Sequence, residues 1–152
     1  MGKYSNKEIS ENGQKFVIQD LEKKGYEILD KHKIIRIGYD FAAVRESYNT
    51  YEVKSTGNAK HIPKLVGSEV NSNYDLIADY LIIVYVKEID FKIIEKSKII
   101  YKIIPKKDIL KSEMTTQIHF TSKFQKQLWD NTKFEIFGNI ENEKKDDGNE
   151  IE

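Results

Sequence analysis

The chain has no cysteine, which removes disulfides, thiolate–zinc sites and cysteine nucleophiles together. Only two prolines and eight glycines punctuate its 152 residues, and there is no glycine-rich nucleotide loop and no Ser–His–Asp arrangement. No apolar run approaches the roughly 18 residues that a membrane-spanning helix needs. The opening MGKYSNKEISENGQ is polar and lacks the apolar core of a secretory signal. The expectation is a cytoplasmic protein with no membrane partner, in one domain large enough to bury a proper core.

Charge is plentiful but balanced, and the formal net value is zero. The balance hides an asymmetry. The tail Glu141–Glu152 holds six acids and two lysines, so residues 1–140 carry a net +4. That mild excess is compatible with a polyanionic partner without requiring one. The tail reads as an acidic disordered segment, and 1–140 as the folded domain. Seven lysines against three acids between Lys87 and Lys107 suit the solvated faces of amphipathic strands.

Ile9, Phe16, Val17 and Leu21 recur at helical spacing around Gly13, predicting a helix over Asn6–Lys24 that Gly25 stops. Strands are predicted at Tyr26–Ile37, with a break near Asp30–His32, then at Tyr39–Val44 and Thr50–Ser55, the last two as a hairpin. Gly57–Lys64 is a loop, and a short helix capped by Ser68 can follow it. YLIIVYV, Tyr80–Val86, is apolar throughout, as a central strand covered on both faces should be. Asp90–Ile94 and Lys98–Ile104 read as a second hairpin. Thr116–Phe120, Ser122–Asn131 and Lys133–Phe137 read as strand, helix and strand. This order predicts an α/β fold around a mixed central sheet flanked by helices.

Acid–x–Lys triplets occur four times, as expected where a third of the residues are charged. Glu22–Lys24 lies on a helix, where positions i and i+2 do not share a face, and Glu143–Lys145 lies in the tail. Asp90–Lys92, with Asp79 upstream, is a closer rival. Asp79 and Asp90 would fall at opposite ends of an extended segment roughly 35 Å long, however, at about 3.3 Å per residue. Glu52–Lys54 remains. On a strand both side chains take one face, and Asp40 on the neighbouring strand can join them. Such a patch is either a small ion-pair cluster or a place for a divalent metal.

Gly38-Tyr39-Asp40 followed by Glu52-Val53-Lys54, after a helix ending LEKKGYEIL and before LVGSEVNSNYDLIADYLIIVYV, resembles the PD-(D/E)XK nuclease superfamily. The resemblance covers roughly Asn12–Val86. It implies a restriction-endonuclease-like core of order αβββαβ, to which the strands and helix read after Val86 are additions. It also implies a magnesium-dependent (or manganese-dependent) DNA endonuclease, with restriction, phage defence and DNA repair as the leading settings. Asp40, Glu52 and the Val53 carbonyl would then be metal ligands, and Lys54 would orient the attacking water. Many members carry a glutamate after a glycine in the first helix. This chain has Gln14 there, after Gly13, whose amide oxygen is a weaker metal ligand than carboxylate; Glu11, three residues earlier on the same helical face, could take its place as the third metal contact.

Around this core, Ser55, Thr56, Lys60, His61 and Lys64 are candidate phosphate contacts, each with an ordinary strand or loop role as the plain alternative. His32, His61 and His119 lack metal-ligand spacing. Tyr39, Tyr48, Tyr74 and Trp129 could stack on bases, with core or surface packing as the plain alternative for each. DNA is the expected partner, with RNA still open. One site cuts one strand, so duplex cleavage would call for a homodimer or a partner subunit. The competing reading is a catalytically inactive nucleic-acid-binding or assembly module on the same fold; a third is a small interaction protein in which the cluster is accidental.

Overall fold

The structure is a computed structural model, described here for residues 4–29, 39–58, 76–109 and 134–139. One long helix, α1 (Asn6–Lys23), lies against a six-stranded sheet: β1 (Glu27–Leu29), β2 (Phe41–Val44), β3 (Tyr48–Thr56), β4 (Tyr80–Glu88), β5 (Lys98–Pro105) and β6 (Ile136–Gly138). Strand order follows chain order, and only the β3–β4 pair is parallel. The fold is therefore α/β with a mixed sheet.

Ser5 and Glu8 begin the helix with a reciprocal capping box: Glu8 N–H donates to Ser5 Oγ, and Ser5 N–H donates to the Glu8 carboxylate. This satisfies two of the backbone donors that a helix start leaves unpaired. At the other end Gly25 takes φ 95°, a conformation that costs glycine nothing, and Tyr26 N–H turns back to Leu21 O. Between the caps, Ile9, Phe16, Val17 and Leu21 face the sheet and are buried with Val53, Ile82, Val84 and Tyr101. Each large apolar side chain so buried contributes roughly 1.5–3 kcal/mol.

Gly13 sets how closely helix and sheet approach. A methyl group built there would lie 2.3 Å from Ser55 Oγ and 3.0 Å from Ser55 Cβ. The helix can sit this low over β3 only because position 13 has no side chain.

Strand β4 is central. Leu81, Ile82, Ile83 and Val84 point alternately to the two faces, and all four are fully buried. Phe41, Tyr51 and Tyr80 stack across β2, β3 and β4 with centroids 5.2 Å apart at each step. Burial, more than its aromatic and acidic neighbours, pushes the Tyr51 hydroxyl pKa far up. At the far end of α1, Tyr101 donates to Asp20 at 2.5 Å, and Lys24 Nζ lies 2.6 Å from the same carboxylate.

The hairpin predicted between Asp90–Ile94 and Lys98–Ile104 is not formed. β5 pairs with β4 itself, and residues 89–97 are the connection, including a 3₁₀ turn at Ile94–Lys96. Asp90 decides this: its carboxylate accepts the N–H groups of Lys92 and Ile93, and its own N–H donates to Ser97 Oγ. Those local bonds occupy the groups that a strand ladder would need. The strands after Val86 extend the central sheet, with β6 on its edge beside β5. No helix among the described residues is long and apolar enough to cross a membrane. The expected helix after Ser68, the strand Thr116–Phe120, the helix Ser122–Asn131 and the acidic tail lie outside the described residues.

Candidate functional site

β2 and β3 are antiparallel from Val44↔Tyr48 to Phe41↔Tyr51, and there the pairing stops. β3 runs on to Thr56 beside β4 alone, so past Tyr51 its other edge faces no strand among the described residues. Asp40, the residue just before β2, sits at the fork. Its N–H donates to Tyr51 O at 2.8 Å, and its Oδ2 accepts the Val53 N–H at 2.7 Å.

Peptide groups alternate between the two edges of a strand. Thr50 directs its N–H and C=O to Asp79, at the head of β4. Val53, three residues on, directs its N–H to Asp40, so its carbonyl points to the same open side. An ionised carboxylate has about four acceptor positions on two oxygens, and the Val53 N–H takes one of those on Asp40.

Glu52 and Lys54 flank Val53 and share the opposite face of β3. Glu52 is 4% exposed, and Lys54 Nζ lies 3.9 Å from Glu52 Oε2 with only 15% of its side chain exposed. Burying a carboxylate without compensation is expensive, and Lys54 supplies a countercharge in a site where water screens little.

These residues open onto one cleft of about 430 Å³. Asp40 and residues 52–57 line its strand side, where Val53 and Ser55 are the side chains turned to α1, and Asn6, Ile9, Ser10 and Gln14 line its helix side. Asp40, Glu52, Val53, Lys54, Ser55, Thr56 and Gln14 are thus brought together. Glu11 is not: it is exposed on α1 and does not line the cleft. Thr56 Oγ1 bonds with the backbone of Asn58, closing the end of β3. Lys60, His61 and Lys64 lie outside the described residues. The rival Asp79 serves a different purpose: its carboxylate accepts both the N–H and the hydroxyl of Thr50, locking β3 to the start of β4.

Sequence reasoning did not pick out Asn6, Ile9, Ser10 or Gly57 for the cleft. Asn6 and Ser10 lie eight and four residues before Gln14 and therefore on its helical face, the one available signal.

All donors offered here are oxygens, apart from the Lys54 ammonium. Among the described residues no group of three or more His, Asp or Glu side chains converges. A cation held in this cleft would take Asp40 and Glu52 as its charged ligands, with the Val53 carbonyl and the Gln14 amide oxygen as neutral ones. Two carboxylates with water completing the shell suit Mg²⁺, which dehydrates reluctantly and is commonly held by one or two carboxylates. The donor set fits that ion and offers nothing to a soft metal.

No family of known proteins, no curated protein and no solved structure matches this chain.

Proposed function

We propose that the chain is a metal-dependent nuclease that hydrolyses phosphodiester bonds in DNA. The observation that carries this reading is the fork at Asp40: one carboxylate pinned to the edge of β3, with Glu52 and Lys54 opening onto the same cleft. The resemblance of Gly38-Tyr39-Asp40 and Glu52-Val53-Lys54 to the PD-(D/E)XK superfamily points the same way, and with it the restriction-endonuclease-like core and a role in restriction, phage defence or repair.

A divalent cation bound between Asp40 and Glu52 would supply Lewis-acid polarisation of the phosphate and a bound water of lowered pKa. The chain's own groups do the rest. Asp40 fixes the position of the β3 edge and lines the cleft as one of its two carboxylates. Glu52 holds the Lys54 ammonium near the reacting centre. Lys54 Nζ orients the attacking water and stabilises the negative charge that develops on the phosphoryl oxygens. Ser55, the next residue on β3, offers a hydroxyl to the neighbouring phosphate, whereas the Thr56 hydroxyl is already bonded to the Asn58 backbone. Gln14 is neutral where a third acid would strengthen cation binding, so the cation is held less tightly than a third carboxylate would hold it.

The test is cleavage of supercoiled plasmid, and of single-stranded and branched DNA, with Mg²⁺, Mn²⁺ or EDTA, beside Glu52→Ala and Lys54→Ala. Cation-dependent nicking reduced at least about 100-fold by either substitution is expected. DNA binding without cleavage under any condition would instead identify the catalytically inactive binding module. Cleavage that survives both substitutions would place the active site elsewhere.

A further inference from the structure

The two walls of the cleft differ in kind. The strand wall carries all of its charge: Asp40, Glu52 and Lys54, formally −1 together. The helix wall carries none. α1 has four charged residues in its first ten positions, Lys7, Glu8, Glu11 and Lys15, yet none of them lines the cleft. Lys7, Glu11 and Lys15 are exposed on other faces, and Glu8 is engaged by the Ser5 N–H in the helix cap. The polar residues that do line it are Asn6, Ser10 and Gln14, spaced by four and so stacked along one helical face. Asn6 and Ser10 are exposed and Gln14 is half-buried.

A wall that bound only phosphate would be expected to present lysine or arginine. Amides and a hydroxyl instead both donate and accept, which suits the neutral parts of a ligand, a sugar and the edge of a base. The cleft lies within the roughly 300–1,000 Å³ of small-ligand sites. We infer that Asn6, Ser10 and Gln14 bind the sugar and base of the nucleotide whose phosphate is held at the strand wall, so that α1 sets nucleotide preference beside the reacting phosphate. This rests on the nuclease reading for its ligand class. Because the strand wall is formally negative, binding of the nucleotide also depends on a divalent cation.

The experiment is calorimetric titration of the full chain with the four deoxynucleoside 5′-monophosphates and with inorganic phosphate, each with Mg²⁺ and with EDTA. Monophosphates contain no phosphodiester bond, so binding is read without turnover. The expected result is cation-dependent binding of at least one nucleotide more tightly than phosphate. Asn6→Ala and Ser10→Ala, which remove no cation ligand, should each weaken the nucleotide by about 2- to 12-fold, the range of one neutral hydrogen bond, and leave phosphate affinity unchanged. Lys7→Ala, on the same helix but off the cleft, should change neither. Nucleotides bound no better than phosphate, no binding of either, or variants that lose both ligands equally would overturn the proposal. Nucleotide selectivity lost in these variants, in a protein that cuts no nucleic acid, would overturn the nuclease reading and leave the nucleotide site standing.

Discussion

The carboxylate of Asp40 accepts the backbone N–H of Val53 at 2.7 Å, so an acid at the head of one strand holds the edge of the next where ordinary pairing has ended. Hydrogen bonds to charged groups contribute about 1.5–3 kcal/mol. Asp40→Ala should therefore lower stability by about that amount and speed hydrogen exchange at the Val53 amide. Asp40→Asn keeps an oxygen acceptor and should retain most of the stability while losing cation affinity. Equal destabilisation by both substitutions, read from denaturant unfolding, would show that the bond does not support the fold.

Glu52 and Lys54 should behave as a unit. An exposed ion pair contributes about 0–1 kcal/mol, but this one has a nearly buried acid and a mostly buried ammonium. Removing one charge strands the other in a poorly hydrated place. Lys54→Ala and Glu52→Ala are each expected to cost about 1–3 kcal/mol, with the double variant less destabilised than their sum by about 1 kcal/mol. A double-mutant cycle that closes within error would mean the two do not interact.

Gly13→Ala removes a residue that is unfavourable in a helix by about 1 kcal/mol, so on an isolated helix it would stabilise. Here the added methyl meets Ser55 at 2.3 Å, and the helix or the strand has to move. The expected outcome is a net loss of about 1–3 kcal/mol, partly recovered when Ser55→Ala removes the hydroxyl. A stabilised Gly13→Ala variant would show that α1 does not lie so close to β3.

Asp90 carries a pH dependence. The N–H of Ile93, then that of Lys92, holds its carboxyl below the usual carboxylate range. A depressed folded-state pKa gives stability that is present above the unfolded value of about 3.9 and lost as pH falls through the folded one. The melting temperatures of the wild type and Asp90→Ala should differ at pH 7 and converge below about pH 4. A difference that persists unchanged into acid would assign the effect to packing of the 89–97 connection instead.

How far the sequence discloses this fold depends on how local each signal is. α1 is legible because Ile9, Phe16, Val17 and Leu21 keep one phase and Gly25 stops the run; the structure ends the helix at Lys23, one residue short of the expectation. The β2–β3 hairpin and the apolar β4 are legible for similar reasons. Asp90–Ile94 misleads because Phe-Lys-Ile-Ile is strand-like in composition, while the bonds that bend it belong to the Asp90 side chain. The site divides in the same way. Asp40, Glu52 and Lys54 stand out as charged residues on strands, whereas Asn6 and Ser10 are ordinary helix-surface residues until β3 is laid across from them. The burial of Glu52 to 4% is equally invisible locally, since it depends on packing between distant segments.

The fork between β2 and β3 has a cost that its charges help to meet. Past Tyr51, β3 presents peptide groups with no neighbouring strand among the described residues, and such an edge is a template on which another chain can add a strand. Natural sheets discourage this with charges set on or beside the edge. Asp40 occupies one of those peptide groups, and Glu52 and Lys54 set charge on either side of it along β3. The three residues that the proposed nuclease reading assigns to a cation and a phosphate therefore also set charge where β3 has lost its partner strand, and charge in such a place discourages the addition of another strand.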